Sequence, residues 1–209
     1  MVSSRDKALS QFPAMYVTLV SVVQAIALEA GVARAIAVDP GFGLQWNTAL
    51  VWLEILLIGQ TIVYVWVSYT LLVTLAQWIF RVFDFGAAFT VGVMQFVAIT
   101  FIGRDSVHAF LVMVALGFVA GAWVSHSNTG AAARTADNED VMRVLPRVRL
   151  TLLLALVGIL GVVGVIVSLV GAGASPIVFI LLGCNVVLLV AQLQWFKWWK
   201  RVLEPDGAT

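Results

Sequence analysis

Charge is what this sequence has least of. Only 11% of its 209 residues are Asp, Glu, Lys or Arg, where a soluble domain carries about a quarter. The formal net charge of +1 gives no electrostatic footprint for nucleic acid. Cysteine occurs once, as Cys184 in an apolar run. That excludes an internal disulfide and a thiolate metal cluster, and leaves a small buried or lipid-facing residue. There are two histidines, His108 and His126, at opposite ends of one helical stretch. About 27 Å of helical rise separates them, too far to share a metal or a haem. No lysine lies in the interior of an apolar stretch, which removes a retinal-type Schiff base. Gly-x-Ser-x-Gly, His-Glu-x-x-His, a phosphate-binding P-loop and a dinucleotide fingerprint are all missing. Every aspartate falls outside the apolar stretches or at their ends, against intramembrane proteolysis by paired aspartates. An enzyme is disfavoured by these absences, and no cofactor or metal is implied. Glu29 and Glu54 are left as a pair that could exchange a proton.

What is present is apolar. Hydrophobic residues make up 62% of the chain, and the mean hydropathy is +1.03. A soluble fold of this size could not hide that much apolar surface, so the solvent is lipid. Six stretches have the roughly 20 apolar residues needed to cross the hydrocarbon. They run over 13–33, 47–77, 84–103, 106–126, 148–171 and 175–199. Turn-forming or polar segments separate them, among them Asp39-Pro40-Gly41, Gly103-Arg104-Asp105 and Gly171 to Pro176. No β-barrel alternation occurs, and a helix satisfies its own backbone in lipid. The fold class expected is all-α, a single six-helix transmembrane domain. The stretch from Pro13 to Val32 is long for a signal peptide and reads as a membrane helix. The two halves show no sequence match that would mark an inverted repeat. The polar run at about 129–147 reads as a cytoplasmic loop, helical near Asp137 to Leu145.

Basic residues set the orientation. Arg5, Lys7, Arg81, Arg134, Arg143, Arg147, Arg149, Lys197, Lys200 and Arg201 fall on one side of the six-span plan, and only Arg34 and Arg104 on the other. The positive-inside rule puts both termini in the cytoplasm, with a bacterial inner membrane as the expected location. Trp195, Trp198 and Trp199 alternate with Lys197, Lys200 and Arg201 and read as interfacial anchors, as do Trp78 and Trp46.

Polar residues inside a membrane are costly, so their placement carries the functional reading. Helix five has almost none; its Gly158, Gly161 and Gly164 suit close packing, with its other faces toward lipid. Helix four carries Gly117-x-x-x-Gly121, a helix-packing spacing. On helix one, Thr18, Ser21, Gln24 and Glu29 fall within an arc of roughly 140°. On helix two, Glu54, Gln60, Thr61, Tyr64 and Ser68 fall within roughly 120°. Gln95 and Thr100 on helix three, with Asn185 and Gln192 on helix six, could face the same interior. Glu29 and Glu54 lie at similar depth on the outer side, where they could share one layer or draw cations to a pore entrance. Structural ion pairs of Glu29 with Arg34 and of Glu54 with Arg104 are the alternative.

This layout resembles the bacterial TMEM175-type potassium channels, which have six helices, both termini inside and a polar first helix lining a tetrameric pore. The resemblance lies in the architecture: the tight turn near Arg81, the short outer loop from Gly103 to Ser106 and the basic loop before helix five. The family's Arg and Phe-Ser-Asp mark is replaced by Gln11-Phe12-Pro13-Ala14-Met15-Tyr16, and its helix-two histidines by Tyr69-Thr70-Leu71. No family site residue is therefore carried over. The expectation is a small homo-oligomeric channel or passive transporter for cations or protons, its path lined by helices one and two. The bilayer, further copies of the chain and the permeant ion are the expected partners. A non-catalytic subunit of a larger assembly and a lipid-active protein are the rivals.

Overall fold

The computed structural model describes residues 4–41, 43, 45–75, 82–103, 107–133, 143 and 145–203, without the side chains of 4–12, 82–85, 87 and 88. The chain is all-helical over these residues. Its six helices are α1 (Ser4–Val38), α2 (Trp46–Leu75), α3 (Val82–Phe101), α4 (Val107–Ala132), α5 (Arg147–Leu169) and α6 (Ala174–Leu203). Five are long and apolar enough to cross a membrane: Pro13–Val38 within α1, and the whole of α2, α4, α5 and α6. In α3 the apolar helix over the described side chains is shorter, Phe89–Phe101. Arg81, Arg104, Trp78, Arg134 and most of the helical stretch read near 137–145 lie outside the described residues.

Three helix ends run five or more residues beyond the stretches read in the sequence: both ends of α1, the second at Val38, and the end of α4. α1 begins at Ser4 and runs through Pro13 rather than starting there. α4 continues past His126 to Ala132. Polar residues follow His126, but Asn128 and Thr129 are buried, at 4% and 2% exposure. Thr129 also returns its hydroxyl to the Ser125 carbonyl at 2.7 Å. Tertiary burial thus carries the helix through residues that intrinsically favour a turn.

Packing follows the small residues. α5 lies against α4 through its three glycines. A Cβ on Gly158 would stand 3.0 Å from Val119, one on Gly161 3.1 Å from the Ala115 backbone, and one on Gly164 3.1 Å from Leu111. The opposite side of α5, with Leu152, Ile159, Val162 and Ile166, is exposed. α1 and α3 approach at Gly92, where a Cβ would overlap Val23. α2 is the central helix: it packs on α1 and α6, meets α3 more sparsely, and scarcely touches α4.

Between α2 and α6 the contact is polar as well as apolar. Asn185 donates to the Leu53 carbonyl at 3.3 Å, Gln192 to the Gln60 carbonyl at 2.8 Å, and Trp195 to the Tyr64 hydroxyl at 3.1 Å. These partners rise along both helices together and form a ladder. Such interhelical bonds stabilise modestly one by one, but they fix register where apolar packing alone would allow sliding. Trp195 and Trp198 are therefore not interfacial anchors. They are 2% and 1% exposed and pack edge to face, with ring centroids 5.4 Å apart. Of the three, only Trp199 lies on the outside, at 41% exposure.

The α4–α5 glycines give a direct test. Gly161→Val should lower the thermal midpoint of the detergent-purified protein, by an amount corresponding to about 2 kcal/mol of overpacking. Gly121→Ala, placed where a Cβ meets nothing within 4 Å, should leave it unchanged. Equal losses in both would show that α4 and α5 do not meet in this register.

Candidate functional site

Three polar systems occur among the described residues: a charged clamp where α3 ends, a cavity one turn from it, and a stripe on the exposed side of α1. Each draws on residues expected to form a single seam.

The clamp holds one peptide bond between opposite charges. Arg34 of α1 donates from Nε to the Ile102 carbonyl at 2.9 Å, and its Nη2 reaches the same oxygen. The Gly103 N–H, on the other side of the same peptide unit, donates to Glu54 Oε2 of α2 at 2.8 Å. Arg34 is also the cation whose field acts on Glu54. The C-terminal end of α3 thus has a cation on its last carbonyl, where the helix dipole favours one. Gly103 is needed at this turn: its φ is +64°, and a Cβ there would stand 2.5 Å from Val38. Glu54 is wholly buried, and its second oxygen, Oε1, has no partner among the described residues. Arg34 serves Ile102 in this arrangement, so the cation read as a partner for Glu29 belongs to the Glu54 clamp. Arg104, read as a partner for Glu54, lies outside the described residues.

The cavity holds about 90 Å³ and lies between α2, α3 and α4. Its lining begins at Ile58 and Ala98, one helical turn from Glu54 and Ile102. Thr61, Tyr64 and Ser68 of α2 and Gln95 of α3 line it, with Ser125, Asn128 and Thr129 toward the C-terminal end of α4. The hydroxyls of Thr61 and Ser68 are spent on their own helix, at Leu57 and Val65. Gln60 meets α6 through its carbonyl, and its side-chain oxygen is buried without a partner. Ser125, Asn128 and Thr129 were not foreseen as site residues, because they lie at or just past the end read for the fourth apolar stretch, beside the run read as a loop. Gly117 and Gly121 line the cavity as well, so this glycine pair does not serve helix packing as its spacing suggests.

The α1 stripe is separate from both. The bundle side of α1 carries Tyr16, Val20, Gln24 and Ala27, all at 4% exposure or less. Diametrically opposite run Met15, Thr18, Val22, Ala25, Glu29, Val32 and Ile36, every one exposed. Their alternating steps of three and four are a heptad seam. Thr18 returns its hydroxyl to Ala14 at 2.8 Å. The polar arc read on α1 therefore splits. Gln24 faces the bundle, with its amide oxygen unpartnered. Ser21 lies between and accepts from Trp66 at 3.1 Å. Thr18 and Glu29 point away from the bundle. Glu29 and Glu54 thus lie on different sides of the structure, one exposed and one buried. No α1 residue lines the cavity among those described, so the α1 and α2 stripes do not face one path inside a single copy. Thr100, like Thr18, is exposed and bonded back to its own helix.

Comparison with known proteins finds no match: no family model fits the chain, and no curated protein or solved structure is similar to it.

The clamp should behave as a coupled unit. Arg34→Leu and Glu54→Leu should each destabilise the protein by about 3–5 kcal/mol, since each leaves the opposite charge uncompensated. The double variant should cost clearly less than the sum of the two. Strictly additive losses in unfolding free energy would show that the two charges act independently.

Proposed function

We propose that the protein is a homo-oligomeric membrane channel or passive transporter for cations or protons, its path formed between copies along α1. In this reading α3 is a sixth span and both termini are cytoplasmic. The described basic residues support that orientation: Arg143, Arg149, Lys197, Lys200 and Arg201 are all exposed toward the inner ends of α5 and α6.

One observation carries the reading. Glu29 points directly away from the bundle, within a membrane-spanning helix, about 8 Å inward of Arg34 along the α1 axis. A carboxylate facing acyl chains is strongly disfavoured, and such groups turn to a partner or to water. Its own bundle offers no such surface, because Tyr16, Val20 and Ala27 occupy the face that packs. The heptad stripe around Glu29 supplies the alternative. Parallel copies of α1 can pack along it, turning Thr18 and Glu29 toward a shared axis where water hydrates them. A ring of carboxylates there attracts cations and repels anions. This is also how the first helix serves in the TMEM175-type channels that the layout resembles, and membership of that family is part of the proposal.

The path in this reading belongs to α1, with α2 behind it. Ser21 and Trp66 tie the two helices, so the α1 stripe is held on a rigid support.

Cysteine scanning of α1 in a Cys184→Ser background tests the arrangement. Val22→Cys and Ala25→Cys should cross-link between copies in membranes, whereas Val20→Cys and Ala27→Cys should not. In liposomes, Glu29→Gln should lower cation flux or flatten its pH dependence while the oligomer persists. Cross-linking without face preference, together with no flux of K⁺, Na⁺ or H⁺ from inserted protein, would leave the α1 pore without support.

A further inference from the structure

Gln95 is the polar group that the fold leaves unspent. It is 4% exposed, and neither its amide oxygen nor its amide nitrogen has a partner among the described residues. It lines the cavity between α2, α3 and α4. A buried amide with both ends unmet is costly, and the cost is recovered only when something supplies a donor and an acceptor together.

Size narrows what that can be. The cavity of about 90 Å³ is below the roughly 150 Å³ that holds a benzene ring. A water takes up about 30 Å³ in the liquid, so about three fit. The chemistry points the same way. A water donates to the Gln95 oxygen and accepts from its nitrogen, whereas a carboxylate only accepts, an ammonium only donates and an apolar gas does neither.

Each buried water needs two to four polar partners, and the lining hydroxyls provide them. Thr61, Ser68 and Thr129 have given their one proton to the carbonyls of Leu57, Val65 and Ser125. Each hydroxyl oxygen keeps lone pairs that accept. Apart from the Gln95 amide, the capacity these groups offer is therefore for acceptance, which suits a guest with two protons to donate. Two glycines make the room. A Cβ on Gly121 would meet no atom within 4 Å, and one on Gly117 only the Met94 sulfur at 4.0 Å.

We propose that this cavity binds a small cluster of water inside the bundle, anchored on the Gln95 amide and donating to the hydroxyl oxygens of Thr61, Ser68 and Thr129. The site lies within one copy of the chain. It is independent of the α1 path and stands or falls separately from it.

X-ray hydroxyl-radical footprinting of the full chain in lipid nanodiscs tests the proposal, because the radicals form from water where it is held and attack the side chains beside it. Phe118 and Phe110 are the paired reporters. Both are buried on α4, at 6% and 0% exposure, and only Phe118 lines the cavity. Phe118 should be oxidised about tenfold faster than Phe110, the difference in occupancy that one hydrogen-bonded anchor supports. Gln95→Leu should bring Phe118 down to the Phe110 rate. Gly121→Leu, which fills the space, should do the same. Gly121→Ala meets open space and preserves the fold; it should lower the Phe118 rate partway, and it decides the matter if the leucine variants do not fold. Equal rates at Phe118 and Phe110 in the unaltered protein would show that the cavity holds no water. A Phe118 rate unmoved by Gln95→Leu or by Gly121→Ala would place the water elsewhere. Either result overturns the proposal.

Discussion

The peptide unit joining Ile102 to Gly103 carries a guanidinium on its oxygen and a carboxylate on its nitrogen, and three helices meet there. Arg34 brings α1 to it, Glu54 brings α2, and the unit itself ends α3. Burying a lone carboxylate is prohibitively costly, and burying one beside a cation and an oriented N–H is tolerable. Glu54 can therefore sit wholly inside the bundle only while Arg34 and the α3 end are in place. Elsewhere α3 leans on α1 and α4 and meets α2 sparingly. The clamp is thus the main polar tie between α2 and α3. It lies one turn from Ile58 and Ala98, where the cavity begins.

The same division of labour explains why α4 stands away from α2. α4 is drawn to α5 by three glycines that let the backbones approach, and packs on α3 as well. α2 is drawn to α6 by the Asn185, Gln192 and Trp195 ladder. With both partners engaged on their far sides, Gly117 and Gly121 of α4 and Tyr64 and Val65 of α2 are left lining a cavity between them. Open space there is what the two strong pairings leave behind, rather than a failure to pack.

The helical plan was legible because it depends on one property, apolar length. Hydropathy located all six helices to within a few residues at most ends. It fell short at both ends of α1 and at the end of α4, where burial of Asn128 and Thr129 overrides their local preference. The polar residues were harder to place, because periodicity gives the direction of a side chain around its own helix and not the neighbour it meets. Glu54, Tyr64 and Thr61 share one stripe in sequence, yet they answer to α3, to α6 and to the cavity. Trp195 and Trp198 beside lysines have the composition of an interfacial belt, but their rings pack inward on Tyr64 and on each other. Small residues misled in the same way. Gly158, Gly161 and Gly164 serve contact and Gly117 and Gly121 serve space, and no spacing rule separates the two uses.

The polar groups that remain unmet sharpen the picture. Gln60, Asn185 and Gln24 each leave one buried side-chain oxygen without a partner, and Glu54 leaves Oε1. In Gln60 and Asn185 another atom of the residue joins the α2–α6 ladder, so a single orphaned lone pair is offset by a bond that fixes register. Gln95 makes no such bond with either end of its amide, and Glu29 faces outward where lipid cannot solvate it. A membrane protein selected for stability alone would lose little by carrying Leu at either position. Their presence within spans this apolar is explained if each meets something beyond the helices of one copy, as further copies with their enclosed water would supply for Glu29.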